Sequence, residues 1–322
     1  MRILVTGALG FLGGRVAKHF VRAGHDVRLG TRRLAQAVDY QLAPATVAPL
    51  SWSDPSRLEE ACAGVDVVVH PSGMNARDCA ADPAAAMQVN AAGTAALLRA
   101  ANQTGVRRFI YTSTSHVYTG DLHGVITEET PAVNPHPYAA SARAAEDAVR
   151  EAHGQGRLDG VVIRLSNGYG VPLHRDVNCW MLLVNDLCQQ AVETGRLRLA
   201  SDGSQLRNFI PMREICRVVD FLVCGLRLDR PIGAAGPINV GGGRAQTILE
   251  MGQRVRSRCE EILGETPALV TSGPAAASAP RDLDFRVDKL HALGYRSIDD
   301  GAGEVDEIDN LLRYCRREFG RS

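Results

Sequence analysis

Residues 2–13 read RILVTGALGFLG, and residues 14–24 continue GRVAKHFVRAG. The run RILVT is short, apolar and rich in aliphatic residues, which predicts a buried strand. Phe11, Val16, Phe20 and Val21 then recur at roughly helical spacing, and Gly24 closes that segment. HDVRLG (25–30) reads as a second strand. Strand, glycine turn, helix, strand is a βαβ unit. Its glycines are Gly7, Gly10 and Gly13. Gly7 permits the tight turn, Gly10 lets backbone approach a pyrophosphate, and Gly13 lets helix and strand pack closely. The helix N-terminus then stabilises the anion. The competing reading is a plain helix-capping turn.

The end of the second strand usually selects the cofactor. A carboxylate there would bind the ribose 2′-hydroxyl of NAD. This chain has Gly30, Thr31, Arg32 and Arg33 instead. Two guanidiniums suit a 2′-phosphate, so NADP is expected ahead of NAD. Solvated loop arginines are the plainer alternative, and Asp39 could still serve NAD.

The totals narrow the function. The chain has 322 residues, enough for one large domain or two small ones. Lys+Arg and Asp+Glu are both 36, so no basic excess points to nucleic acid or an anionic membrane. The eight cysteines are scattered, with no C-x-x-C pair and no Cys/His cluster at zinc spacing. They read as reduced, buried thiols, and no metal is expected. There is no charged-then-apolar leader and no long apolar run, so a cytoplasmic location is expected, with no membrane span.

Further on, GVDVVVH (64–70) is a continuously apolar strand that ends in His70-Pro71-Ser72-Gly73. A long Ala-rich helical pattern follows, then the strand RRFIYTSTSHVY (107–118). Strands alternate with helices, which predicts an α/β fold with a doubly wound parallel sheet. Ligands bind at the carboxyl ends of such strands, where Thr112 to His116 are all polar.

Eight stretches in one order then carry a resemblance. They are TGALGFLG (6–13), GVDVVVHPSG (64–73), VNAAGTAALLRAA (89–101), GVRRFIYTSTSHVY (105–118), PYAASARAAE (137–146), VVIRLSNGYGVP (161–172), SDGSQLRNFIPM (201–212) and INVGGGRAQTILEM (238–251). With them the chain resembles an extended short-chain dehydrogenase/reductase of the NAD-dependent epimerase/dehydratase branch, the nucleotide-sugar epimerases among them. The resemblance implies a Rossmann domain over 1–166, rejoined by about 205–245. It implies a smaller C-terminal α/β substrate lobe from 167–204 and 246–322, and a homodimer packed through the helices near 89–103 and 138–153. It extends the cofactor-binding set from Gly7, Gly10 and Gly13 to Phe11, Leu12, Thr31, Arg32, Arg33, His70 and Tyr138. Thr114 falls where the family hydrogen-bonds the reacting sugar oxygen, and Tyr138 where it keeps its general acid/base.

Hydride transfer at a carbinol carbon needs a proton to leave or reach the oxygen. A free phenol, with a pKa of about 10, is a sluggish base at neutral pH. The family's answer is a lysine four residues on, sharing the helix face. This chain has Ala142 there, and Arg143 is rotated well away from Tyr138. Three readings stay open. Ala142 is a disabling substitution; or another base such as His116 acts; or the protein binds a dinucleotide without chemistry, as a sensor. In the 4,6-dehydratase branch an Asp-Glu pair follows the threonine; here it is Ser115-His116, which argues against dehydration and for epimerisation or ketone reduction. The resemblance further gives Asn167, Arg207 and Arg281 to the substrate's nucleotide diphosphate. An NADPH-dependent reductase of a ketone or aldehyde without a nucleotide handle is the alternative enzyme.

Overall fold

The structure is a computed structural model and describes residues 1–33, 40–156, 158–272, 282–297 and 302–320. Asp39 and Arg281, and the segment 273–280, lie outside the described residues. The chain runs β1 (Arg2–Thr6), α1 (Phe11–Arg22), β2 (Asp26–Thr31), β3 (Thr46–Pro49), α2 (Pro55–Cys62) and β4 (Val67–His70). It continues α3 (Ala76–Ala81), α4 (Pro83–Ala86), α5 (Gly93–Gln103), β5 (Arg108–Thr114), β6 (Gly124–Ile126), α6 (Pro137–Gly154), β7 (Asp159–Leu165) and β8 (Asn167–Tyr169). Then follow α7 (Leu183–Thr194), β9 (Arg196–Leu199), β10 (Leu206–Pro211), α8 (Met212–Asp220), β11 (Ile238–Val240), β12 (Ala245–Thr247) and α9 (Ile248–Leu263). The last elements are β13 (Ala268–Thr271), β14 (Leu283–Phe285), α10 (Asp288–Ala292) and α11 (Ala302–Phe319).

These elements form two compact units. The first comprises 1–120, 130–165 and 216–240; the second 121–129, 166–215 and 241–322. The first unit holds a seven-stranded sheet in the order β11-β7-β5-β4-β1-β2-β3, with every neighbouring pair parallel. Its central strands are buried on both faces, as VVVH in β4 shows residue by residue. Crossover helices supply that cover, and Leu97, Leu98 and Ala101 of α5 pack into the same core as Phe109 and Val149. The strand order reverses between β1 and β4, which opens the ligand crevice at their carboxyl ends. The expected doubly wound sheet is therefore observed.

The second unit is a smaller α/β assembly. β10 pairs in parallel with β8 and antiparallel with β12. β9 pairs with β13, and β6 with β14, which draws 121–129 into this unit. Its core joins Val184 and Leu187 of α7, Met251 and Val255 of α9, and Ile308 and Leu311 of α11. α9 opens with a capping box in which Thr247 and Glu250 satisfy each other's backbone N–H. α7 begins at Leu183, and Met181 just before it is exposed.

Candidate active site

The glycine turn sits where β1 leaves the sheet. Gly7 has φ +59°, the left-handed region that favours glycine. A Cβ on Gly13 would lie 2.3 Å from the Gly7 carbonyl oxygen, so helix and turn can approach this closely only without a side chain. The first turn of α1 has no side-chain cap and no acidic residue. Its N–H groups and dipole are left for an anion, as a pyrophosphate requires. Phe11 and Leu12 open this helix and are half-buried.

At the end of β2, Thr31 is buried while Arg32 and Arg33 are exposed. The Thr31 hydroxyl accepts from the Arg33 N–H at 3.0 Å. The Arg32 guanidinium lies 5.9 Å from the centre of the Trp52 ring. The Trp52 indole N–H is buried without a hydrogen-bond partner among the described residues. These groups suit the adenosine end of a dinucleotide, and the glycine turn suits its pyrophosphate.

His70, expected among the cofactor-binding residues, has its ring turned into the core. Its ring is fully buried, and both nitrogens are engaged. The Thr94 hydroxyl donates its one proton to the Asn90 carbonyl oxygen at 2.5 Å, so it accepts from His70 Nε2–H at 3.0 Å. His70 Nδ1 then accepts from the Thr6 hydroxyl at 2.6 Å. Burial pushes the imidazole pKa down to about 3, so the ring is neutral. Its side chain pins β4 to β1 and has no ring nitrogen left for a cofactor. Asn90 continues this polar spine, accepting from the Met74 N–H at 2.8 Å and donating to the Ser141 hydroxyl at 3.0 Å.

The corner that sequence assigns to the reaction lies at the end of β5. α6 starts with Pro137, and the His136 ring caps it by accepting from the Tyr138 N–H at 3.2 Å. Tyr138 therefore stands in the helix's first turn, hydrogen-bonded to Thr114. Burial raises the phenol pKa, the bond with Thr114 lowers it, and the Cys79 thiol raises it again; the net shift is upward. None of the three is a cation. His116 lies beside it, the two ring centres 6.5 Å apart. The His116 N–H donates to the Thr114 hydroxyl at 3.2 Å. The Ser115 hydroxyl, its neighbour, is buried with no hydrogen-bond partner among the described residues. Ala142 is buried one turn along α6. Arg143 donates instead to the Ala132 carbonyl oxygen.

One turn beyond Ala142 stands a residue that sequence reasoning missed. Glu146 is buried and receives the Arg164 guanidinium, with Nη2 to Oε2 at 2.6 Å and Nε to Oε1 at 3.0 Å. The Ser113 hydroxyl donates to Glu146 Oε1 at 2.5 Å. Arg164 also lies over the Tyr118 ring at 4.8 Å, and Tyr118 donates to Asn239 at 2.6 Å. Burial alone would lower the Arg164 pKa, but the bonds and charge of Glu146 overcome it and raise it. The available signal was spacing: positions 138, 142 and 146 share one helix face.

In the second unit, Asn167 and Arg207 lie on paired strands, β8 and β10. The Asn167 side-chain N–H donates to the Asn208 carbonyl oxygen at 2.9 Å. The Asn208 side chain accepts from the Gly242 N–H at 2.8 Å and donates to its carbonyl oxygen at 3.0 Å, holding the glycine turn. Arg207 is half-buried; burial lowers its pKa and Asp121 pulls the other way. No carboxylate is ion-paired with it among the described residues.

The model of the family described as "NAD dependent epimerase/dehydratase family" matches residues 3–241. A dTDP-glucose 4,6-dehydratase of Streptomyces niveus is 29% identical over 274 residues, covering 80% of this chain and 78% of the relative. A dTDP-glucose 4,6-dehydratase of Streptomyces griseus is 30% identical over 77% of this chain and 76% of that one. Among solved structures, MoeE5 in complex with UDP-glucuronic acid and NAD superposes with a TM-score of 0.80 at 22% identity, covering 98% and 99% of the two chains. A UDP-N-acetylglucosamine 4-epimerase from Methanobrevibacter ruminantium gives 0.80 at 21%, covering 97% of each. At these identities the superpositions are likenesses of fold. No helix among the described residues is long and apolar enough to cross a membrane. The chain belongs to the NAD dependent epimerase/dehydratase family and is an enzyme of the extended short-chain dehydrogenase/reductase type.

Proposed function

We propose that this enzyme transfers hydride at a carbinol carbon of a nucleotide sugar, as an epimerase or ketoreductase. The observation that carries this reading is the Tyr138–Thr114 hydrogen bond at the carboxyl end of β5. The nicotinamide, when bound, supplies the hydride acceptor or donor. Thr114 orients the reacting oxygen and Tyr138 moves its proton. His116, on the same corner, is the second group able to carry that proton. Gly7, Gly10 and Gly13 with the α1 N-terminus hold the pyrophosphate. Arg207, with Asn167, is assigned the substrate diphosphate, a task that suits a guanidinium fork. Arg281 keeps that assignment on resemblance alone.

Ser115 and His116 stand where the dehydratase branch keeps its Asp-Glu pair, so no carboxylic acid follows Thr114 to protonate a leaving hydroxyl. This favours epimerisation or reduction, although the relatives above are named dehydratases. Arg32 and Arg33 favour NADP over NAD. The small residues of α5 and α6 support a homodimer through those helices, and a cytoplasmic location is kept as part of this reading.

The test is turnover of UDP-, GDP-, CDP- and dTDP-sugars with NAD(H) or NADP(H), products being separated and weighed by mass spectrometry. Epimerised or reduced sugar that disappears in Tyr138→Phe supports the reading. Loss of water from the sugar would overturn the choice of reaction. Tight cofactor binding with no product, in both this chain and Ala142→Lys, would favour a dinucleotide sensor. Ala142 is the observation that gives the sensor its standing.

A further inference from the structure

Sequence spacing shows no zinc pattern, yet the fold makes a ligand cluster from distant segments. His25 follows the Gly24 turn between α1 and β2. Asp220 ends α8, and Cys224 lies four residues on, in the π-helical continuation Phe221–Gly225. All three belong to the first unit. One ligand atom from each lies within 4.8 Å of the other two. We infer that His25, Asp220 and Cys224 form a binding site for a divalent transition metal of the zinc class, away from the dinucleotide crevice and with no part in hydride transfer.

The donor set and spacing carry this. Imidazole nitrogen, carboxylate oxygen and thiolate sulfur are zinc's three protein ligand types. Tetrahedral zinc, with Zn–S near 2.3 Å and Zn–N near 2.0 Å, sets its nitrogen and sulfur ligands about 3.5 Å apart. Cys224 Sγ and His25 Nε2 are 3.5 Å apart. The Cys224 thiol also hydrogen-bonds Asp220, so the two side chains already face one another. His19 Nε2 lies 3.7 Å from Asp220 Oδ2, within reach of the role that an outer partner of a metal ligand plays. The Phe20 ring packs edge-on against both His19 and His25, fixing the two imidazoles across the turn. Cys224 is exposed, so metal can enter and water can fill the fourth position. The other seven cysteines are buried and do not join this cluster. A bound metal would tie the α1–β2 turn to the end of α8 and stabilise the native state by mass action.

The experiment uses the full, tag-free chain freed of metal by chelation, titrated with Co²⁺ alone and then challenged with Zn²⁺. The expected result is one equivalent of Co²⁺ bound, with a thiolate-to-cobalt charge-transfer band that Zn²⁺ abolishes. Cys224→Ser, an exposed substitution whose fold is checked by circular dichroism, loses the band. His25→Ala weakens binding by about tenfold or more, the scale on which even outer partners of a metal matter. Zn²⁺ raises Tm in the parent chain but not in Cys224→Ser. Absence of a charge-transfer band at one equivalent would overturn the inference. So would a band that survives Cys224→Ser, which would place the metal on another cysteine.

Discussion

Two positions on one face of α6, one buried and one half-buried, meet the same problem in opposite ways. Glu146 is a buried carboxylate, and the fold answers it with the Arg164 guanidinium and the Ser113 hydroxyl. Tyr138, eight residues earlier and half-buried, must become a phenolate to accept a proton, and the fold answers with one neutral hydroxyl, Thr114. A charge in low dielectric needs a counter-charge or it is expelled. Glu146 therefore has a matched counter-charge, while the Tyr138 phenol pKa is held above its usual value. His70 shows a third answer, since it is buried neutral between Thr6 and Thr94. The missing ammonium at 142 is thus a local gap in a site whose buried carboxylate and imidazole are both matched.

The comparison breaks most strongly at Glu146. Arg164→Ala leaves that carboxylate buried and unpaired, and costs about 3–5 kcal/mol in urea unfolding. Replacing both partners together, Glu146→Leu with Arg164→Met, recovers most of that loss. Next, Ala142→Lys supplies the absent cation. If it lowers the Tyr138 pKa by three units, the phenolate gains about 4 kcal/mol, or roughly a thousandfold in population at neutral pH. Initial rates of the parent and the variant at saturating cofactor measure this. Without the cation, the parent's rate rises with pH through the whole range below 10, because its phenol pKa lies above that value.

His70 sharpens the comparison from the neutral side. Its pKa is about 3 in the fold and near 6.5 in the unfolded chain. The unfolded state therefore binds the extra proton first, and stability falls as pH drops from about 6.5 toward 3. By pH 5 this one group costs about 2 kcal/mol. Urea midpoints between pH 7 and 5 fall less steeply in His70→Gln. The smallest effect is expected at the exposed arginines. Arg32→Ala with Arg33→Ala weakens NADP by about 1–2 kcal/mol and leaves NAD nearly unchanged, in paired calorimetric titrations.

The first βαβ unit was legible because each of its signals is local. Glycine spacing, a two-residue change of period and an apolar strand all lie within thirty residues of one another. Tyr138 and Thr114 were singled out by their motifs, and the fold brings these two side chains together. Glu146 and Arg164 were not, since a buried ion pair between a helix and a strand leaves no spacing rule in the chain. His70 looked like a crevice residue because it ends β4, and only the positions of Thr6 and Thr94 show its ring turned into the core. His25, Asp220 and Cys224 were invisible for a simpler reason: nearly two hundred residues separate the first from the others.

The central claim is that Tyr138 is a half-buried phenol with no cation beside it among the described residues. It is tested most directly by a pH titration of tyrosine labelled with ¹³C at Cζ, the Tyr138 signal being assigned by its absence in Tyr138→Phe. Seven tyrosines make that assignment practical. The account predicts that Tyr138 titrates above pH 10 in this chain and below it in Ala142→Lys. A Tyr138 that already titrates near neutral pH in the parent would contradict it, and would mean that another group supplies the charge the lysine provides elsewhere in the family.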